Sequence, residues 1–308
     1  MSAIVRADVL AAAERIRGRV HRTPIFSSAT AGERVWLKAE LFQKTGSFKV
    51  RGVLNKLASL TPEEKERGVI GISAGNHAQA LAWGAAAEGI DALVVMYQGA
   101  SAQKIAATRG YGAAVDLEAA DAVEAFARLD EHIARTGRTL VHPFDDPLVQ
   151  AGAGTVGLEI VDDVPEVETI LVAAGGGGLV AGIAAAAPDR RVIAVEPDGS
   201  TAVHSGMAAG ASVPVTPVSV ADGLSAPFAG ANALETLRAN RVETILVSDA
   251  EIEDAFRFLY GRAKLAVEPA AAAALVPVLR GDVRGPVAVV LSGGNVAAET
   301  ASAILASQ

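Results

Sequence analysis

The chain has 308 residues, 51% of them hydrophobic, with 27 basic against 35 acidic side chains, a net charge of −8 and no cysteine. That length supplies core for about two domains, and a dispersed acidic excess without a basic stripe argues against nucleic acid or an anionic membrane as partner. Absence of cysteine rules out disulfides, thiolate nucleophiles and cysteine metal sites, and fits a cytoplasmic protein.

Arg6, Asp8, Glu14, Arg15 and Arg17 among alanines predict an amphipathic first helix without the apolar core of a signal peptide. Apolar, β-rich runs predict strands at Val35–Ala39, Val69–Ile72, Ala92–Met96, Ala113–Asp116, Thr139–Val141, Thr169–Ala173, Arg191–Glu196, Val242–Val247 and Val287–Leu291. Ala-rich helical runs fill most gaps. Two helix starts carry capping boxes, Thr61-Pro62-Glu63-Glu64 and Ser248-Asp249-Ala250-Glu251. This alternation predicts an α/β fold of mainly parallel open sheets flanked by helices. Residues 58–141 are expected to form a small domain inserted into a large one made of 1–57 and 142–308. The uncharged run Thr169–Pro188 is about long enough to span a bilayer. Its four central glycines, and the Asp189 and two arginines that follow, predict a buried strand, turn and helix instead. Trp36 and Trp83 are expected as core anchors.

Four segments carry candidate chemistry. In Gly46-Ser47-Phe48-Lys49, a lysine beside an apolar neighbour has its charged form disfavoured, which suits Schiff-base formation; the ordinary alternative is a surface lysine at a helix start. Ser73-Ala74-Gly75-Asn76-His77 lies between a strand and a helix whose N–H groups suit a carboxylate, and Asn76 can bond a phenolic oxygen. Gly175-Gly176-Gly177-Gly178, between a strand and a helix, can nest a phosphate. Ser292-Gly293-Gly294-Asn295 follows the last strand, where open α/β sheets place ligands, though it reads equally as a helix cap. A serine facing a pyridine nitrogen cannot hold a proton on it, which suits β-elimination over transamination. Together the four describe a pocket for pyridoxal phosphate. Gly152-Ala153-Gly154-Thr155-Val156-Gly157 matches the dinucleotide spacing, but no hydrophobic strand precedes it and no suitably spaced acidic residue follows, so helix packing is expected there. The five histidines show no metal-ligand spacing.

In order and spacing, these motifs resemble the fold-type-II pyridoxal-phosphate enzymes, and among them the threonine/serine dehydratase (ammonia-lyase) and serine racemase group. The resemblance runs from His21-Arg22-Thr23-Pro24 to Asn295 and includes Ala221-Asp222-Gly223 and Val267-Glu268-Pro269. It implies that Lys49 joins the cofactor, Phe48 packs on its ring, Asn76 bonds the ring hydroxyl and Ser292 faces the ring nitrogen. Gly175, Gly176, Gly177, Gly178 and the Leu179 N–H would hold the phosphate. Ser73, Ala74, Gly75, Asn76 and His77, with Gly223, would hold the substrate carboxylate. A homodimer is implied as well.

Two departures shape the expected reaction. Ala74 stands where such racemases carry a serine that exchanges protons on the ring face opposite the lysine. Glu196 matches a cation ligand of part of the group, but its partner position is Ala202, so no metal is expected. The chain ends soon after Asn295, so the group's regulatory domain and its feedback control are not expected. The implied function is elimination of ammonia from L-threonine or L-serine. The alternatives are a serine racemase, a dehydratase of 3-hydroxyaspartate or an aryl-serine, a β-replacement synthase, a silent amino-acid-binding protein, and a nicotinamide oxidoreductase built on Gly152–Gly157. Liners of the side-chain pocket are expected from Pro143-Phe144-Asp145 and Leu224-Ser225-Ala226.

Overall fold

Both ends of the chain are needed to complete one sheet. In the computed structural model, which describes residues 3–307, there are ten strands among the described residues. They are β1 (Ile25–Ser27), β2 (Val35–Ala39), β3 (Val69–Ile72), β4 (Ala92–Tyr97), β5 (Ala114–Ala119), β6 (Thr139–Leu140), β7 (Thr169–Ala173), β8 (Arg191–Pro197), β9 (Glu243–Val247) and β10 (Val287–Leu291). The larger sheet has the order β1-β2-β10-β7-β8-β9, so the last strand sits between an early one and a middle one. Its pairings are parallel except β1 on β2. The smaller sheet, β5-β4-β3-β6, is parallel throughout, and all its strands fall within 58–141.

The central strands are apolar on both faces because helices cover both. Leu171, Ile193 and Val289 pack into one buried cluster, and their sequence neighbours Ile170, Val172, Val192, Ala194, Ala288 and Val290 into the other. Strand β1 was not predicted. It is three residues long, too short to show alternation, and its backbone is satisfied only by pairing with β2. Both capping boxes form. Thr61 accepts from the Glu64 N–H at 3.2 Å and Glu64 from the Thr61 N–H at 2.8 Å; Ser248 and Glu251 repeat the exchange. The uncharged run is strand β7, a turn and the helix Gly178–Ala186, and no described helix is long and apolar enough to cross a membrane. The tryptophans are half-buried at the rim of the cores rather than anchors inside them. Trp83 carries the Lys44 ammonium 5.2 Å from its ring centroid.

Gly152, Gly154 and Gly157 lie inside the helix Pro147–Asp163, not on a strand-to-helix turn, so the dinucleotide reading loses the nest it requires. Their role is close packing. A Cβ at Gly152 would lie 2.5 Å from the Arg51 carbonyl oxygen, and one at Gly154 would lie 2.4 Å from that of Gly182. The helix therefore meets, backbone to backbone, both the helix Lys49–Ala58 and the helix Gly178–Ala186. These are the elements that carry the candidate lysine and the glycine turn. Gly154→Ala should drive the helices apart and cost about 1–3 kcal/mol of stability, as overpacking does. Urea unfolding measures it, and an unchanged midpoint would refute backbone contact as the constraint.

Candidate active site

Lys49 is the first residue of the helix Lys49–Ala58. Its Nζ donates to the Pro143 carbonyl at 2.7 Å and lies 5.1 Å from the centroid of the Phe48 ring. Desolvation pushes its pKa down to about 8, against a smaller opposing pull from the Glu268 carboxylate. The amine is therefore substantially neutral at mildly alkaline pH. The loop before it is under strain, with Thr45 at φ 61°, and the Ser47 hydroxyl is buried without a hydrogen-bond partner. Phe48 is half-buried against the core cluster that also contains Leu179.

The glycine turn sits against the residue after Pro143. Any Cβ at Gly176 would lie 2.3 Å from the Phe144 ring, and at Gly178 it would lie 2.9 Å from the Phe144 carbonyl oxygen. Gly177 holds φ +89°, a conformation that favours glycine, and caps the helix Gly178–Ala186. The N–H groups of Gly175, Gly176, Gly177, Gly178 and Leu179 have no backbone acceptor among the described residues. Five donors at a helix start form a cradle for an anion. Phe144 in turn meets Phe228 edge-on at 5.5 Å, and Phe228 meets Phe126 at 6.4 Å. An aromatic wall thus runs beside the cradle.

The Ser292–Asn295 turn closes the far side. Ser292, 5% exposed, accepts the Phe48 N–H on its carbonyl at 3.1 Å; the Gly294 N–H donates to Gly46 at 3.0 Å. Asn295 Nδ2 donates to the Thr45 carbonyl and to Asn76 Oδ1, each at 2.8 Å. Asn76 Nδ2 donates to both oxygens of Glu268, at 2.8 and 3.1 Å. Asn76 begins the helix Asn76–Glu88, and the half-buried Ser73, Ala74 and Gly75 precede it. Space beside Gly75 is open, since a Cβ there would meet nothing within 4 Å. The His77 ring turns the other way, into the small sheet, where Nε2–H donates to the Val141 carbonyl at 2.8 Å. Burial and the nearby Lys49 hold its pKa down at about 3, so it is a neutral prop, and only its backbone N–H is left to face a carboxylate. Gly223 is exposed in the turn Asp222–Leu224, where a Cβ would lie 3.9 Å from Glu268 Oε1.

Three features escaped sequence reasoning. The first is a buried charge cluster behind Lys49. Arg51 donates to both Glu40 oxygens at 2.8 Å and to Glu159 at 2.7 and 3.0 Å, and Lys38 reaches Glu159 at 2.6 Å. Lysine inside the apolar strand β2 was the available signal. The second is Glu268, a lone carboxyl in a long uncharged run. The third is the lock on Asn76 by Asn295, for which the pattern held no signal. Glu196 caps the helix Ala202–Ala209, accepting the Val203 and His204 N–H groups at 2.7 Å each; burial nevertheless raises its pKa to about 7. No group of three or more His, Asp or Glu that could hold a metal ion occurs among the described residues.

A buried amine that loses its proton readily, a nest of free N–H groups and a turn offering Ser292 fit a cofactor with an aldehyde, a phosphate and an unprotonated ring nitrogen. The family model described as pyridoxal-phosphate dependent enzyme matches residues 16–293. The chain is 41% identical over 304 residues to the L-threonine ammonia-lyase of Thermotoga maritima, covering 94% of this chain and 75% of that protein. It is 39% identical over 308 residues to the catabolic L-threonine dehydratase TdcB of Escherichia coli, covering 94% and 92%. The solved structure of maize serine racemase superposes with a TM-score of 0.92 at 34% identity, over 97% of this chain and 95% of that one.

If desolvation sets the lysine, its reactivity in the cofactor-free protein toward a small acylating reagent should rise with pH about a midpoint near 8. An exposed lysine follows about 10.4. Mass spectrometry of the Lys49 peptide after brief labelling measures this, and a midpoint above about 10 would remove the buried-amine account.

Proposed function

The chain belongs to the pyridoxal-phosphate dependent enzymes, and we propose that within that family it is an ammonia-lyase converting L-threonine or L-serine, or both, to a 2-oxo acid and ammonia. Pyridoxal 5'-phosphate is the cofactor. Lys49, Phe48, Asn76, Ser292 and the Gly175–Leu179 cradle are the residues that would hold it. When bound, it supplies the electron sink that acidifies the α-carbon of an attached amino acid. One observation carries the reading: the Lys49 amine, kept near neutrality, hydrogen-bonds the residue before Phe144, which itself lies on the glycine cradle. A base is thereby held beside the place an anionic group would occupy.

The chain's own residues then divide the work. The helix start at Ser73–His77 binds the substrate carboxylate through backbone N–H groups, helped by Gly223. Lys49 Nζ takes the α-proton. The wall of Phe144 and Phe228 lines the space for the β-carbon and excludes water from it. The β-hydroxyl departs as water, so that with the α-proton one H2O is lost, and a second water hydrolyses the resulting enamine to the 2-oxo acid and ammonia. Ala74 brings only a methyl group to the carboxylate loop, so no side chain at that position can return a proton to the opposite face. That favours elimination over racemisation, and the relatives named as threonine ammonia-lyase and dehydratase support it. The resemblance further supports a homodimer working in the cytoplasm.

Purified protein with pyridoxal phosphate should release 2-oxo acid from threonine or serine in a panel of L- and D-serine, L- and D-threonine and 3-hydroxyaspartate. Lys49→Ala should lose at least about a thousandfold in rate, together with the visible absorption of lysine-bound cofactor. Retention of both would sink the assignment. Ala74→Ser should raise racemisation relative to elimination, read by chiral chromatography against oxo-acid release. An unchanged ratio would show that Ala74 does not set the outcome.

A further inference from the structure

Glu268 is the one charged residue between Leu265 and Leu279, and it is 5% exposed. Its carboxyl binds one remote part of the chain, lies close against a second and faces a third. Asn76 Nδ2 donates to Oε1 at 2.8 Å and Oε2 at 3.1 Å. A Cβ at Gly293 would lie 2.5 Å from Oε1, and one at Gly223 3.9 Å. Its own N–H donates to the Gly293 carbonyl at 3.1 Å. Asn76 is the residue expected at the ring hydroxyl, Gly293 adjoins Ser292, and Gly223 belongs to the substrate side. Asn76 is also held from its other end, because Oδ1 accepts from Asn295 at 2.8 Å. The amide oxygen is thus committed to Asn295, and one N–H of the amide nitrogen, shared between the two carboxyl oxygens, to Glu268. Only N–H is left to offer a ligand, which suits an ionised ring oxygen.

We propose that Glu268 is a positioning residue acting through Asn76: its carboxyl decides which face of that amide meets the cofactor ring, and the proton it gains or loses sets the charge beside the ring. The proposal rests on the cofactor site and not on the identity of the substrate. Burial disfavours the carboxylate, and so does Asp222 from the turn Asp222–Leu224. The Asn76 amide, Lys104 of the helix Ala102–Gly110 and Lys49 favour it. Burial and Asp222 prevail, and the carboxyl titrates near 7 instead of in the usual carboxylate range. Below that pH the pocket holds a neutral acid next to the amide. Above it, the carboxylate is the stronger acceptor for the Asn76 amide.

The test uses holoenzyme with no amino acid added, so it does not depend on which substrate the protein takes. The visible band of the lysine-bound cofactor is titrated from about pH 5.5 to 9 in the native protein, Glu268→Gln and Gly293→Ala. The native band should shift about a midpoint above the usual carboxylate range, because burial and Asp222 hold the Glu268 carboxyl up. Glu268→Gln keeps the size and an acceptor for Asn76 but cannot ionise, and should abolish the shift while cofactor affinity changes by no more than about tenfold. Gly293→Ala should crowd Oε1 and move the midpoint by on the order of one pH unit. A second readout needs no cofactor. A folded-state pKa raised from the ordinary 4.5 to about 7 gives stability that is present below 4.5 and lost as pH rises through 7. The unfolding midpoint of the cofactor-free native protein should therefore fall more steeply across that window than that of Glu268→Gln. A shift that persists unchanged in Glu268→Gln, a native band without a shift, or equal stability slopes would overturn the proposal. Should the glutamine variant not fold, Gly293→Ala decides alone, and an unmoved midpoint there overturns it.

Discussion

The bond pattern around Arg51 is what the rest of the site depends on. Arg51, Lys38 and Glu40 have fully buried side chains, and Glu159 keeps 13% of its side chain exposed. Two cations and two anions cancel there. Removing one partner of such a set typically costs about 3–5 kcal/mol, because a charge is left without compensation in a poorly polarisable interior. The set joins strand β2, the turn after it, the lysine helix and the helix Pro147–Asp163. Arg51 lies two residues beyond Lys49, on the same first helical turn, so the clamp that holds the guanidinium also aims the amine.

The same surroundings act in opposite directions on paired and unpaired groups. Arg51, with carboxylates on both sides, is held charged, its pKa above the ordinary value. Lys49 has a carbonyl for its nearest partner and is pushed down to about 8, while Glu268, bonded by an amide, is pushed up to about 7. Charge is thereby kept for structure behind the cleft. Groups able to change protonation near neutrality lie beside the candidate cofactor residues, which is where proton transfer needs them.

The lysine loop and the Ser292–Asn295 turn are neighbours only because β10 pairs with β2. Ser47 bridges Gly293, Phe48 donates to Ser292 and Gly294 to Gly46, so the two loops are stitched along their length. Close glycine contacts between helices bring the glycine turn to the same place from the middle of the chain. A cofactor site assembled this way has one reactive side chain and a frame of backbone groups. That explains why glycine spacing was its most visible mark.

Local chemistry was therefore legible in the sequence. Both capping boxes, nine of the strands, the glycine turn before a helix and the false dinucleotide pattern follow from neighbouring residues and their periodicity, because turns, caps and amphipathic faces are short-range effects. The pairing of Arg51 with Glu159, the lock of Asn295 on Asn76, the inward turn of His77 and the perturbed carboxyl of Glu268 were decided by tertiary structure alone. Each is a contact between residues far apart in the chain, and its strength comes from the exclusion of water, which exists only once the sheets and helices have closed around it.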